Sequence, residues 1–416
     1  MPDVYQRTRC RMCDGGGLVK VMALTPTPPG NNFLAEAELA APEPSYPLEL
    51  HFCPGCHHVQ LGHVVDPRIL YQKDYLYVSG TSSKFVAHLA DYATAMTDRF
   101  ALRPGALVAD IGSNDGTCLA AFKSTARARV LGVDPATNIA RRATESGIET
   151  IGDFFSRELA VRLRRDYGPA AFITSHNACA HIDHLDGVME GVRHWLADDG
   201  VFVLEVGYFL DVYENVWFDT IYHEHLDYHT VAPFRKLFER TGMEAIGVER
   251  VSPQGGSIRV MAQKAGGPRR ADGTVDELVA LEARHGLDQA ATLVEFGRRI
   301  DKVGAELRSL VGSLKAKGAS LAGFGAATKS TTLLAHFGLG KHDLRFIADD
   351  NPMKQGLYSP SAHIPIVAAA EIYRSRPDYL VILAWNFAEP IMAMHRKFSE
   401  GGGRFIVPMP VPRVIQ

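Results

Sequence analysis

A chain of 416 residues is too long for one ordinary core and predicts two or three domains. Its 46% hydrophobic and 22% charged residues are the composition of a soluble globular protein. A formal charge of −3 gives no electrostatic case for nucleic acid or an anionic membrane, and no apolar run reaches the length of a membrane span.

The basic residues of Met1–Arg11 have no apolar stretch behind them, so no signal peptide is expected. Residues 1–75 show little helical periodicity and carry Pro26, Pro28, Pro29, Gly30, Pro42 and Pro44. Two Cys-x-x-Cys knuckles flank those prolines: Cys10 with Cys13, and Cys53 with Cys56. Four thiolates at this spacing can close a tetrahedral Zn²⁺ shell, which predicts a structural staple for a segment poor in core. A redox pair would need a thioredoxin-like context, which is missing. His51, His57 and His58 could compete as ligands, but the four thiolates complete the shell without them. The other two cysteines, Cys118 and Cys179, fall in apparent core elements and read as reduced thiols; a cytoplasmic compartment fits all six.

Residues 76–270 alternate apolar strands with amphipathic helices. Leu107–Ile111, Val130–Asp134, Ala171–Ser175 and Val201–Glu205 read as buried strands of a doubly wound parallel sheet. The first ends in Asp110-Ile-Gly112-Ser-Asn114-Asp-Gly116, an acidic glycine turn into a helix. It lacks the third glycine of a dinucleotide fingerprint, and its acidic character suits a methionine ammonium better than a pyrophosphate. S-adenosylmethionine is therefore favoured over NAD. Asp110, Gly112 and Asn114 are expected to line the methionine end, and Asp134 to accept the ribose hydroxyls. Asn177, His181 and His184 follow the strand at 171–175 and are expected beside the Gly112 loop. Further on, Tyr222-His-Glu-His225 sets four titratable groups in a row. Tyr222 and His225 would share a side there, and histidine is suited to proton transfer near neutral pH. The pattern is not that of a zinc protease, which needs a one-turn spacing of its histidines.

Apolar stripes over residues 271–317 predict a connector of one or two long helices. From 318 to 416 the alternation returns, with strands at Leu321–Gly325, Leu344–Ala348, Tyr379–Ala384 and Arg404–Val407. The expected fold class is therefore α/β: a small zinc-binding module, a central Rossmann-like domain, which the resemblance below implies is a class I methyltransferase domain, and a second Rossmann-like α/β domain.

The chain resembles the S-adenosylmethionine-dependent C-methyltransferases of nucleotide-linked deoxysugars, especially the 3-C-methyltransferases of branched antibiotic sugars. The four-cysteine start, Tyr75–Ser82, Asp110–Gly116, Tyr222–Leu226, Gly255–Arg259, Gly323–Lys329, Asp349–Pro352 and Ala384–Asn386 carry the resemblance in order. It implies S-adenosylmethionine in the central domain, with Tyr77 and Ser83 among its contacts. It also implies a nucleoside-diphosphate ketosugar held with help from the C-terminal domain, and His225 as the base. Tyr222 and His181 would donate to an enolate oxygen, and Glu224 would orient the sugar or the histidine. Two departures, Ser252-Pro-Gln254 and Ser359–Ile366, bear on which sugar and nucleotide bind. The alternatives are methylation at C5, a nicotinamide-dependent oxidoreductase and a zinc scaffold without catalysis. No obligate protein partner is evident.

Overall fold

The computed structural model describes residues 3–71 and 79–416, and among them the strands fall into four sheets. Leu107–Ile111 is buried at all five positions. A strand without polar alternation must be covered on both faces, and it sits at the centre of a seven-stranded sheet. Thr150–Ile151, Arg129–Val133, Leu107–Ile111, Ala170–His176 and Leu196–Gly207 run parallel in that spatial order. An antiparallel hairpin, Met243–Val251 with Ser257–Lys264, completes the edge beside Leu196–Gly207.

One face of this sheet is covered by the helices Ser83–Phe100 and Thr117–Thr125, through Leu89, Tyr92, Met96, Leu119 and Phe122. Each such buried side chain contributes roughly 1.5–3 kcal/mol. Ser82 starts the first of these helices by accepting the amide of Phe85 on its hydroxyl. The strand order reverses between Leu107–Ile111 and Ala170–His176, so the crevice beyond their carboxyl ends is the expected ligand position of such a sheet.

The C-terminal sheet has six strands, in the order Ile366–Val367, Ile347–Ala348, Leu321–Phe324, Tyr379–Ile382, Arg404–Val407 and Arg413–Ile415. All its pairings are parallel except the last. Two helices, Thr274–Arg284 and Ala290–Ala316, join it to the central sheet. Glu282 of the first accepts the amides of Val231 (2.7 Å) and Ala232 (3.3 Å) and the hydroxyl of Tyr208 (3.0 Å). It thereby caps the helix Val231–Thr241.

The N-terminal segment is less dependent on a metal staple than its proline content suggests. Val19–Thr27, Tyr46–Phe52 and Val59–Leu61 form an antiparallel sheet whose fourth strand, Asp227–Tyr228, comes from the central part of the chain. Leu24, Leu48, Leu50 and Leu61 are buried in it, and the long helix Ala290–Ala316 packs on Val19–Thr27. Among the described residues, no helix is long and apolar enough to cross a membrane.

Candidate active site

Cys10 Sγ lies 3.5 Å from Cys56 Sγ, and Cys13 Sγ lies 3.5 Å from Cys53 Sγ. All four sulfurs fall within 4.8 Å of one another. A tetrahedron with Zn–S bonds of about 2.3 Å has edges of about 3.8 Å, so the cluster fits one Zn²⁺ with no open position. The knuckle turns are tied by the Asp14 amide to the Cys10 carbonyl (2.9 Å) and the His57 amide to the Cys53 carbonyl (2.8 Å). His58 is not a competing ligand: its Nε2 is 2.7 Å from Asp227 Oδ1.

At the carboxyl end of Leu107–Ile111, Gly112 has φ +76°, and a Cβ there would meet the Ala178 methyl at 2.4 Å. The glycine is therefore required by close packing of the Asn177–Ala178 loop as well as by the turn. Asp134 accepts the amides of Asn114 (2.8 Å) and Ala136 (2.9 Å), one on each carboxylate oxygen. Asn114 Oδ1 in turn accepts the amide of Ser79 (2.9 Å), and Asp115 that of Gly80 (2.9 Å), fastening the turn before Ser83–Phe100 to the glycine loop. Asp110 is buried, its Oδ1 has no hydrogen-bond partner among the described residues, and burial holds its pKa well above the usual carboxylate range. An ammonium group is the partner such an atom fits, so the loop suits the methionine end of S-adenosylmethionine. Ser83 opens the adjacent helix. Tyr77 lies outside the described residues.

Behind the loop, Glu205 accepts from His88 Nε2 (2.7 Å) and pairs with Arg259 (3.0 Å), whose guanidinium lies 4.7 Å over Tyr92. Nothing in the sequence marked His88 or Glu205; Arg259 stood out only within its Gly-Gly-Ser-Ile-Arg run.

The Tyr222–His225 turn lies where the three parts of the chain meet. His225 Nδ1–H donates to the Thr220 carbonyl (2.9 Å), which leaves Nε2 as the acceptor of the Tyr222 hydroxyl (2.8 Å). The His181 ring stands edge-on to His225, with centroids 5.0 Å apart and planes at 74°. The Leu226 amide donates to the Ala180 carbonyl (2.7 Å), which couples the two histidine segments directly. Burial lowers the pKa of His225 to about 4 and that of His181 to about 3, so both imidazoles are neutral near pH 7.

Tyr222, His225 and His181 keep partial exposure, whereas His223 and Glu224 are buried. His223 Nε2–H donates to the Tyr46 carbonyl at 3.2 Å. Glu224 accepts from Asn31 Nδ2 at 3.0 Å rather than orienting a histidine, and burial lifts its pKa to about 7. His223, Glu224 and His225 thus serve three separate partners. His184, expected beside the glycine loop, is exposed next to Asp183.

Residues distant in sequence complete the site. Asn31 Oδ1 accepts from the Thr328 hydroxyl (2.6 Å), so the zinc-binding segment bridges Glu224 to the start of the C-terminal helix Thr328–Phe337. Asp219 accepts from Trp385 Nε1 (2.7 Å) and lies 3.9 Å from Lys329, which sits over the Trp385 ring and donates to Asn386 (2.6 Å). Their runs, Gly323–Lys329 and Ala384–Asn386, stood out in the sequence, but their convergence on Asp219 did not.

A central sheet of this order with a glycine turn at its switch point defines a class I methyltransferase. Three family models match in succession: "Putative zinc binding domain" over residues 10–71, "Methyltransferase domain" over 85–248 and "C-methyltransferase C-terminal domain" over 252–410. The C-methyltransferase NovU of Streptomyces niveus is 37% identical over 406 residues, covering 98% of this chain and 96% of that one. The chain belongs to the S-adenosylmethionine-dependent C-methyltransferase family, and its cofactors are S-adenosylmethionine and zinc. This sets aside the oxidoreductase and the non-catalytic scaffold. Among solved structures, the magnesium protoporphyrin IX methyltransferase of Synechocystis PCC 6803 is 15% identical, with a TM-score of 0.34, over 44% of this chain and 82% of that one. The plantazolicin methyltransferase BpumL is 14% identical, with a TM-score of 0.36, over 45% and 87%.

Proposed function

We propose that this chain transfers a methyl group from S-adenosylmethionine to C3 of a nucleoside-diphosphate 4-keto-6-deoxy sugar through an enolate. Carbon becomes nucleophilic far more readily beside a ketone than beside an alcohol, which sets the substrate class. The sequence resemblance supports the nucleotide sugar. The carrying observation is the Thr220–His225–Tyr222 chain, in which His225 has a fixed tautomer with Nε2 as its basic nitrogen.

In this reading His225 Nε2 takes the C3 proton, and the C–H electron pair moves into the C3–C4 bond and onto the ketone oxygen. The Tyr222 hydroxyl turns from Nε2 to that oxygen, and His181 turns its one ring N–H from the Glu224 backbone carbonyl to donate to it as well, an oxyanion-hole role. The Thr220 carbonyl stabilises the imidazolium that forms, through Nδ1–H. Glu224, tied to Asn31 and through it to Thr328, holds the turn against both neighbouring segments. S-adenosylmethionine, when bound, supplies the sulfonium methyl group as electrophile. Asp110, Gly112 and Asn114 line its methionine end and Asp134 its ribose, with Asn177, Ser83 and Tyr77 as further cofactor-binding residues. Alignment of the two reactants supplies much of the acceleration. Cys10, Cys13, Cys53 and Cys56 hold the structural Zn²⁺. The parts of the chain act as a zinc module to residue 75, a cofactor domain to 270, a helical connector to 317 and a nucleotide-sugar domain to 416.

Incubating the enzyme, S-adenosylhomocysteine and the ketosugar in D₂O tests the base. Deuterium is expected at the carbon beside the ketone, and His225→Asn is expected to abolish its entry. Undiminished exchange in that variant would remove His225 as the base.

A further inference from the structure

We propose that the two zinc knuckles position the reacting histidines, through Arg11 and His58; this rests on the role given to His225 above. Arg11 lies between Cys10 and Cys13, and its side chain has no exposed surface. Its Nε donates to Asp183 Oδ1 (2.8 Å), two residues beyond His181. Its Nη1 donates to the carbonyls of Leu61 (3.0 Å) and of Leu226 (3.3 Å), the residue after His225. His58, two residues beyond Cys56, donates from Nε2 to Asp227 Oδ1 at 2.7 Å, and neither side chain is exposed. Each knuckle therefore sends one buried side chain to a residue within two positions of a reacting histidine.

The backbone joins the same points. The strand Val59–Leu61 pairs with Asp227–Tyr228, and the Leu61 amide donates to the Leu226 carbonyl (2.8 Å). That carbonyl accepts from both the strand and Arg11, while the amide of Leu226 holds Ala180. A shift of the first knuckle would therefore move Leu226 and, with it, the 5.0 Å contact between His181 and His225. Burying a guanidinium is a poor way to gain stability, because an apolar side chain of similar volume often serves as well or better. What an apolar replacement cannot supply is a fixed donor to a carbonyl and a carboxylate on two separate segments.

Arg11→Met and Asp183→Asn test this in the full-length zinc-loaded protein. The expected result is one zinc per chain, S-adenosylmethionine affinity within about twofold of wild type, KM little changed, and kcat down about 10- to 100-fold, the scale for residues that orient reacting groups. The His225 ring nitrogen resonances should shift in both variants. If Arg11→Met fails to fold, Asp183→Asn decides beside Arg7→Met: Asp183→Asn keeps the side-chain shape and weakens the links to both Arg11 and Arg7, and Arg7→Met, which leaves Arg11 in place, is expected to leave kcat and the ring resonances unchanged. Unchanged kcat with unchanged ring resonances would overturn the proposal, as would a loss of cofactor affinity in step with kcat. His225→Asn is the control for the function itself: wild-type turnover there removes the catalytic reading, whereas the ring resonances judge the bracing separately.

Discussion

Glu224→Gln isolates the cost of burying a carboxyl at the centre of the site. The side chain is 5% exposed, and its polar partner among the described residues is Asn31 Nδ2 at 3.0 Å. Burial raises its pKa from 4.5 to about 7. The folded protein therefore binds this proton more tightly than the unfolded chain, and folding loses stability as pH rises from the unfolded to the folded pKa. At 1.36 kcal/mol per unit, the roughly 2.5-unit shift amounts to about 3 kcal/mol, of which about 2 kcal/mol falls between about pH 5.5 and pH 8. Glutamine keeps the acceptor for Asn31 and has no proton to lose. Urea unfolding of both proteins at those two pH values measures the effect as a double difference. Wild type is expected to lose about 2 kcal/mol relative to Glu224→Gln on going to the higher pH. A difference independent of pH, or one of opposite sign, would refute the assignment of a carboxyl protonated in the fold below neutrality.

Cys53→Ser removes one of four thiolates and is expected to lose stoichiometric zinc in elemental analysis and to lower the melting temperature, with S-adenosylmethionine affinity retained. Asp134→Ala is expected to weaken cofactor binding by about 2–3 kcal/mol in calorimetry, the scale of charge-assisted hydrogen bonds. It also frees the amides of Asn114 and Ala136 that now cap the glycine loop. His225→Asn is expected to lower turnover at least ~100-fold with cofactor affinity intact, and Tyr222→Phe less, because in the proposed mechanism His181 is a second donor to the enolate oxygen. With neutral His225 as the proposed base and burial lowering its pKa to about 4, activity is expected to be lost only as pH falls through about 4, not through the ordinary imidazole range.

Elements with one dominant pattern were legible in the sequence. Leu107–Ile111 and Arg404–Val407 stand where their apolar runs stand, and the connector stripes became Thr274–Arg284 and Ala290–Ala316. The hairpin Met243–Lys264 was missed because Glu249, Arg250 and Arg259 break its apolar signal, and Gly247 sits at a register shift. Two of those charges are spent on each other and on Glu205, a pairing only the folded sheet reveals. Asp227–Tyr228 is too short to read, and its partner is Val59–Leu61 in another module. The Tyr222–His225 turn was visible because its groups are contiguous. The convergence of Asn31, Thr328, Lys329 and Trp385 on this site was not legible, since Asn31 reaches Glu224, Thr328 reaches Asn31, and Lys329 and Trp385 reach Asp219, each across more than fifty positions of sequence. The bond from the Ser79 amide to the Asn114 side-chain oxygen was not legible, because it is set by a turn the sequence does not mark.

The most direct test of the central claim follows the methyl carbon. The enzyme is incubated with S-adenosylmethionine labelled with carbon-13 in its methyl group and a nucleoside-diphosphate 4-keto-6-deoxy sugar, and the product is read by carbon–carbon coupling. A labelled methyl bonded to C3 is the predicted result. Label on an oxygen or at C5, or no transfer to the ketosugar at all, would contradict it.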